Sequence, residues 1–537
     1  MSSLQPPNGS RGSYQKEPWV SDQGDGTFIN PVLHADYSDP DIIRVGNDFY
    51  MTASSFGHIP GLPILHSYDL VNWRLINHAI PRMELAGYDQ PQHGNGVWAP
   101  AIRFHDGKFW IFYGDPDVGI FMTTAVDPAG EWSPLHLVKE GKGLIDPCPF
   151  WDDDGQAYLV HAFANSRAGI KHLLRMCKMA QDGAALLDEG IIVFDGTQRH
   201  PTTEGPKLYK RGGCYYIFAP AGGVATGWQL VLRSRSLYGP YEEKVVLHQG
   251  DSSVNGPHQG GWVELDGGES WFIHFQDKGA YGRIVHLQPV RWEDDWPMMG
   301  IDSNVDGIGE PVVRHKKPNV GAIYAVETPA ASDTFEGGKL GLQWQWQGNP
   351  DEAWATLDAK PGRLRLFAHP MPDKAATLFD TPQLLLQKFP GLAFEATADL
   401  EISGLAVGDR AGLIVFGYSY AYAAVRRDQG GFVLFAAEGD AVTERVLWQM
   451  SASSPVSSLT DSLSLRVTVA NDALCSFACR TEGLEFVRVP LPPFPARESR
   501  WVGAKVGLFA LRADRSDAMG SFVDITSFGI MGVSSHE

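Results

Sequence analysis

Residues 199–223 read RHPTTEGPKLYKRGGCYYIFAPAGG. A carboxylate, Glu204, precedes Gly205-Pro206; then come a short run KLYK, a Gly-Gly pair and an aromatic-rich run YYIFAPA. Two β-prone runs joined by residues that tolerate positive φ form a hairpin, so Glu204 belongs at a strand entrance and not on a helix face. The unit recurs upstream. Asp39 opens DPDIIRVGNDFYMTAS and Asp146 opens DPCPFWDDDGQAYLVHA, each followed at once by Pro.

Working outward, the strand–turn–strand core is found five times before residue 300, in IIRVGNDFYMTAS, PAIRFHDGKFWIFYG, PFWDDDGQAYLVHA, PKLYKRGGCYYIFAPAG and GGWVELDGGESWFIHFQD. The pairs Gly46-Asn47, Asp106-Gly107, Asp154-Gly155, Gly212-Gly213 and Gly267-Gly268 read as two-residue hairpin turns. Each core is followed by two more strand-like segments, at a period of roughly 50 to 60 residues, near the upper end for propeller blades. The expected fold is all-β, a five-bladed β-propeller over residues 27–304 behind an N-terminal extension, 1–26. Residues 305–330 read as a linker. Residues 331–537 carry many short alternating strands and read as a β-sandwich or jelly roll.

In a propeller the innermost strands start together at one mouth of the channel, so Asp39, Asp146 and Glu204 should converge on one pocket. The second and fifth units open with NGVWAPAIRF and NGPHQGGWVE, which offers Trp98 to the mouth and His258 to the channel. Several carboxylates beside an aromatic wall suit glycosidic bond cleavage: one acid protonates the leaving oxygen, another deprotonates water, and a third repels the donor's charge so that it keeps its proton. Asp41 competes with Asp39, but only Asp39 shares with Asp146 the position just before a proline. Phe56, in the loop SSFGHIPGLPIL, is a further candidate for the sugar slot. No zinc spacing, phosphate loop or serine elbow is present.

Composition narrows the partners. With 44 basic against 63 acidic residues the net charge is -19, which disfavours nucleic acid and anionic membrane while a neutral sugar is indifferent to it. No run approaches the roughly 18 apolar residues of a spanning helix. The N-terminus, MSSLQPPNGSRGSYQKEPWV, lacks the apolar core of a signal peptide, so the chain is expected to be cytoplasmic, or secreted or periplasmic with its signal removed. Five scattered cysteines, Cys148, Cys177, Cys214, Cys475 and Cys479, read as buried thiols and not as a disulfide framework or a metal site.

The motifs NPVLHADYSDPDIIRVGNDFYMTAS, GVWAPAIRFHDGKFWIFY, IDPCPFWDDDGQAYLV, TTEGPKLYKRGGCYYIF and GRIVHLQPVRWEDDWP together resemble glycoside hydrolase family 43, and residues from about 331 resemble the concanavalin-like domain that accompanies some of its members. The resemblance implies a five-bladed propeller that hydrolyses β-xylosides and α-L-arabinofuranosides with inversion and needs no cofactor for the chemistry. It makes Asp39 the general base, Glu204 the general acid and Asp146 the modulator of the acid. It also implies that Arg283 contacts the sugar, a residue otherwise readable as an ion-pair partner of Asp277 or Glu310. Trp98 becomes a subsite wall, and His258 is placed near a structural ion, often calcium. The expected substrate is the terminal pentose of xylan, arabinoxylan, arabinan or xyloglucan type chains; an endo-arabinanase and a catalytically silent sugar-binding propeller are the alternatives.

Overall fold

The computed structural model describes residues 17–450, 461–513 and 520–533. Five four-stranded antiparallel sheets follow one another along the chain, each paired in sequence order. Their innermost strands are Asp41–Val45, Trp98–His105, Leu144–Trp151, Lys207–Arg211 and His258–Glu264. The outermost are Trp73–Ile80, His136–Glu140, Ile191–Asp195, Glu242–Leu247 and Trp296–Met299. Among the described residues the one α-helix has four residues, Asn165–Ala168. Among the described residues no helix is long and apolar enough to cross a membrane.

The blades are held edge to edge by what their faces bury. Apolar side chains of each sheet meet those of the next: Ile64 with Ile102 and Ile111, Trp110 and Phe112 with Leu159, Val160 with Leu208 and Ile217, Phe218 with Phe272. The ring closes where Ile42, Phe49 and Trp73 pack on Trp271, Ile273 and Leu287. Burying a large apolar side chain contributes about 1.5–3 kcal/mol, so five such seams account for a ring with no free face between blades.

Three of the expected hairpins have two-residue turns, at Gly46-Asn47, Asp106-Gly107 and Gly212-Gly213. The other two differ: Asp154-Gly155 and Gly267-Gly268 lie within five-residue connections between strands. In the first, the Asp154 carboxylate accepts from the Gln156 N–H and the Asp152 N–H donates to the Gln156 carbonyl, so an Asx turn stands in place of the tight hairpin; in the second, the Leu265 N–H donates to the Glu269 carbonyl.

Residues 305–330 do not hang free of the propeller. Arg314–Lys316 pairs with Thr27–Ile29, Gly309 bridges to Leu247, and Lys317 forms ion pairs with Asp22 and Asp69 at 2.5 and 2.7 Å. Asn30 ties this return to the fifth blade, donating to the carbonyls of Leu287 and Val312 and accepting from the Leu287 N–H.

The C-terminal part is a sandwich of a seven-stranded and an eight-stranded sheet. Ser462–Val469 and Leu474–Thr481 alternate strictly and their buried residues face one shared core, whereas Arg410–Phe416 and Lys505–Leu511 are buried almost throughout because apolar clusters cover both of their faces. Cys475 and Cys479 point into that core, and all five cysteines are free and buried. The sandwich docks on the first blade: the Ile59 and Trp346 backbones exchange hydrogen bonds, and Asn349 binds the N–H and the carbonyl of Met83 through its side chain.

Candidate active site

Every blade carries one residue with left-handed backbone where its innermost strand begins. They are Asp39 (φ 53°), Ala99 (37°), Asp146 (56°), Gly205 (57°) and Gln259 (40°), the first four each preceding a proline. Four of the five have a Cβ, in a region that such residues rarely enter and that clusters at functional sites. Asp39 and Asp146 are equivalent in this register. Glu204 is not their equivalent, contrary to the repeat reading, because the left-handed position of blade four is Gly205. Glu204 stands one residue earlier, where Trp98 and His258 stand in their blades. Asp146 also lies inside its strand, Leu144–Trp151, at a register shift between Ile145 and Cys148, and not ahead of it.

The offset gives the three acids different surroundings. Asp39 is buried and held by donors: Ser38 Oγ and Ser54 Oγ each donate to Oδ2 at 2.6 Å, and Arg283 Nη1 lies 3.0 Å from Oδ1. Ser54 Oγ in turn accepts from the Ala99 N–H at 2.7 Å, which locks the first blade's acid to the second blade's mouth. Glu204 has the more open side chain, 28% exposed against 8% for Asp39. Its Oε1 lies 3.1 Å from His258 Nε2, and its backbone N–H donates to the Pro220 carbonyl. Asp146 is buried as well, and its Oδ2 accepts from the Gly205 N–H at 2.7 Å.

Burial first, then the neighbouring Glu204 charge, push the Asp146 carboxyl up to about 8, with Asp39 adding to the repulsion and the Lys207 ammonium opposing it. Held up in this way, the Asp146 carboxyl keeps its proton near neutrality. A carboxyl raised on folding adds stability that is complete below its unfolded value, near 3.8, and is lost as pH rises through about 8. Asp146→Asn, neutral at every pH and tolerant of positive φ, should escape that loss. Denaturant unfolding of the two proteins should coincide near pH 4 and then diverge in favour of the variant, by up to about 1.4 kcal/mol per pH unit, becoming parallel above pH 8; parallel curves throughout would place the proton elsewhere.

Asp39, Asp146, Glu204, Phe56, Trp98 and Arg283 all line one cleft of about 800 Å³. Phe56 and Trp98 meet edge to face with centroids 6.5 Å apart. Arg283 pairs with Asp39, and not with Asp277 or Glu310. Asp41 is fully buried outside the cleft, where it accepts from the Ile102 N–H and from Arg103 at 2.6 Å, a purely architectural pair. His258 does not line the cleft; it stands behind Glu204.

Sequence reasoning missed Ser38, Ser54 and Trp501. Trp501 comes from the sandwich, reaches the same cleft, and is 42% exposed with φ at 68°. Its ring lies 6.3 Å from that of Trp98, and the Arg283 guanidinium sits 5.6 Å from its ring and 4.8 Å from that of Phe275. The two serines could have been suspected from their places in YSDP and TASS; nothing in SRWVGAK marks Trp501.

The family model for glycosyl hydrolases family 43 matches residues 28–297, and the model for the β-xylosidase C-terminal concanavalin A-like domain matches residues 332–528. The chain belongs to glycosyl hydrolase family 43. It is 47% identical over 71% of its length to a protein of Xylanibacter ruminicola assigned as a β-xylosidase, covering 70% of that protein. It is 32% identical over 94% of its length to a β-xylosidase of Formosa agariphila, 90% of which is covered. A non-reducing end α-L-arabinofuranosidase of Bacteroides ovatus is 30% identical over 72% of this chain and 73% of its own. The crystal structure of the family 43 protein BlXynB of Bacillus licheniformis superposes with a TM-score of 0.81 at 25% identity, covering 94% of this chain and all of that one.

Family 43 enzymes need no cofactor for their chemistry. Among the described residues no group of three or more His, Cys, Asp or Glu could hold a metal ion; His258 Nε2 lies 3.1 Å from Glu204, and its buried Nδ1 has no hydrogen-bond partner.

Proposed function

We propose that this family 43 hydrolase is an inverting exo-glycosidase that releases terminal β-D-xylose, α-L-arabinofuranose or both from plant cell-wall chains of xylan, arabinoxylan, arabinan or xyloglucan type. The observation that carries it is the inequality of the three carboxylates: a donor-clamped Asp39, an open Glu204, and a buried Asp146 that accepts from the Gly205 N–H beside Glu204. Asp39, whose oxygens only accept, takes a proton from water as the water oxygen bonds to the anomeric carbon. The carbon–oxygen bond to the leaving group breaks in the same step, and Glu204 gives its proton to the departing oxygen. Water arrives opposite the leaving group, so the anomeric configuration inverts. Trp501 walls one side of the cleft, which suits a chain end better than the open groove of an endo-arabinanase.

The test is hydrolysis of paired aryl glycosides, β-D-xylopyranoside and α-L-arabinofuranoside, with the first-formed anomer followed by NMR. The xyloside should give α-D-xylose and the arabinofuranoside β-L-arabinofuranose before mutarotation. Retained configuration would remove the single-displacement assignment, and no hydrolysis of either would reduce the cleft to a binding site.

A further inference from the structure

Asp36 lies three residues before Asp39, is only 3% exposed, and does not line the cleft. Its carboxylate joins the two domains at the point where both contribute to the site. Oδ1 accepts from the Arg283 backbone N–H at 2.9 Å, and Oδ2 accepts from the Gly503 N–H at 3.0 Å. Arg283 holds Asp39, and Gly503 follows Trp501 by two residues. One carboxylate thus fixes the backbone of the propeller's sugar-contacting arginine and that of the sandwich loop carrying the aromatic wall.

The surrounding sequence is shaped to admit it. A Cβ on Gly282 would come within 2.5 Å of the Asp36 Cγ, and a Cβ on Gly503 within 2.6 Å of the Gly282 N, so both chains approach as only glycine permits. Next to this contact the Ala504 N–H donates to the Ala280 carbonyl at 2.7 Å. From the sandwich, Lys388 and Lys505 stand directly opposite each other on neighbouring strands, an arrangement that is destabilising for like charges. Lys505 is buried, with Gln345 Oε1 3.4 Å away. Asp36 is the carboxylate whose charge favours both ammonium groups against their burial. Burial lowers both lysines, Lys505 well below its ordinary range, and Asp36 opposes that shift across the domain boundary.

We infer that Asp36 is a positioning residue for the glycosidase reaction, which sets the depth of the sugar slot by holding the Trp501 loop and the Arg283 backbone in one register. The inference rests on the proposed slot, of which Trp501 and Arg283 are walls. Asp36 touches neither substrate nor reacting atoms. It acts through geometry: with Asn in its place, one backbone N–H would face an amide N–H₂ in place of an oxygen, and the sandwich loop would lose its anchor.

The experiment is a double-mutant cycle on the full chain, with Asp36→Asn, Trp501→Ala and the pair, reading kcat and KM on xylobiose. Trp501→Ala alone should raise KM about tenfold or more, as loss of one stacked wall would; an unchanged KM would remove Trp501 from the slot and the proposed reading with it. Given that rise, Asp36→Asn should raise KM severalfold with a smaller change in kcat, and the double variant should be little worse than Trp501→Ala. Additive effects, or an Asp36→Asn variant with lowered melting temperature and unaltered KM, would overturn the inference while leaving the slot intact. Gly503→Ala approaches the same contact from the sandwich side with Asp36 present and should reproduce the KM signature, so the inference is still tested if Asp36→Asn fails to fold.

Discussion

Replacing Glu204 with Gln should lower kcat on xylobiose by about 10²–10⁴-fold, the usual contribution of a general acid, and should lower it far less on an aryl xyloside whose phenol is strongly acidic. The contrast follows from what the proton is for. A sugar leaving as an alkoxide needs the proton in the transition state, whereas an acidic phenol carries its own negative charge away. Gln preserves the volume of Glu204 and can still meet His258 Nε2, which lies 3.1 Å from the carboxylate it replaces, so KM should change little. The same substitution removes the second largest cause that raises Asp146, after burial. The Asp146 carboxyl should therefore fall below about 8, and the alkaline limb of the pH–rate profile should disappear on the acidic phenol. Kinetics on the two leaving groups at several pH values tests both statements. An equal loss on both substrates would mean that Glu204 does not deliver the proton.

The architecture was legible because propellers write themselves into sequence as repeats: five β-hairpin cores at similar spacing admit few other arrangements. The sandwich was legible from strict alternation, as in SLSLRVTV. The first-order site was legible for the same reason, since acids at the mouths of repeated blades must converge. What escaped is what depends on one residue of backbone register or on contacts across the whole chain. That Glu204 precedes the left-handed position, while Asp39 and Asp146 occupy it, requires the φ angles of all five mouths. The longer turns at 152–156 and 265–269 depend on local capping by Asp152 and Asp154 and on the Leu265–Glu269 pairing, which compete with the Gly-containing pair inside each loop. The 305–330 stretch looked like a linker because its pairing partner, Thr27–Ile29, lies almost 300 residues away. Trp501 and Asp36 belong to the same class: each matters for a contact with a domain whose placement no local pattern encodes.

Asp39→Asn should lower turnover by about 10²–10⁴-fold on both kinds of leaving group, and this indifference separates the base from the acid. Water must lose its proton however good the leaving group is, and an amide cannot take it. Asn is the least disruptive replacement, because Asp39 sits at φ 53°, where Asn is tolerated and Ala would add strain. The neighbours can also adapt: Ser38 and Ser54 hydroxyls rotate to accept from the new amide, although the buried Arg283 guanidinium loses its charged partner. Asp41 cannot take over, being committed to Arg103 and the Ile102 N–H away from the cleft. Asp39→Gly, which also relieves the backbone, opens the space the base occupied, and azide needs no deprotonation. Azide should restore turnover of the aryl xyloside in that variant and yield α-D-xylosyl azide, with its new bond on the face where Asp39 had directed water. Rescue giving the β-azide would put the base on the other side of the sugar, and Asp39 would then have to be reassigned as a clamp for Arg283.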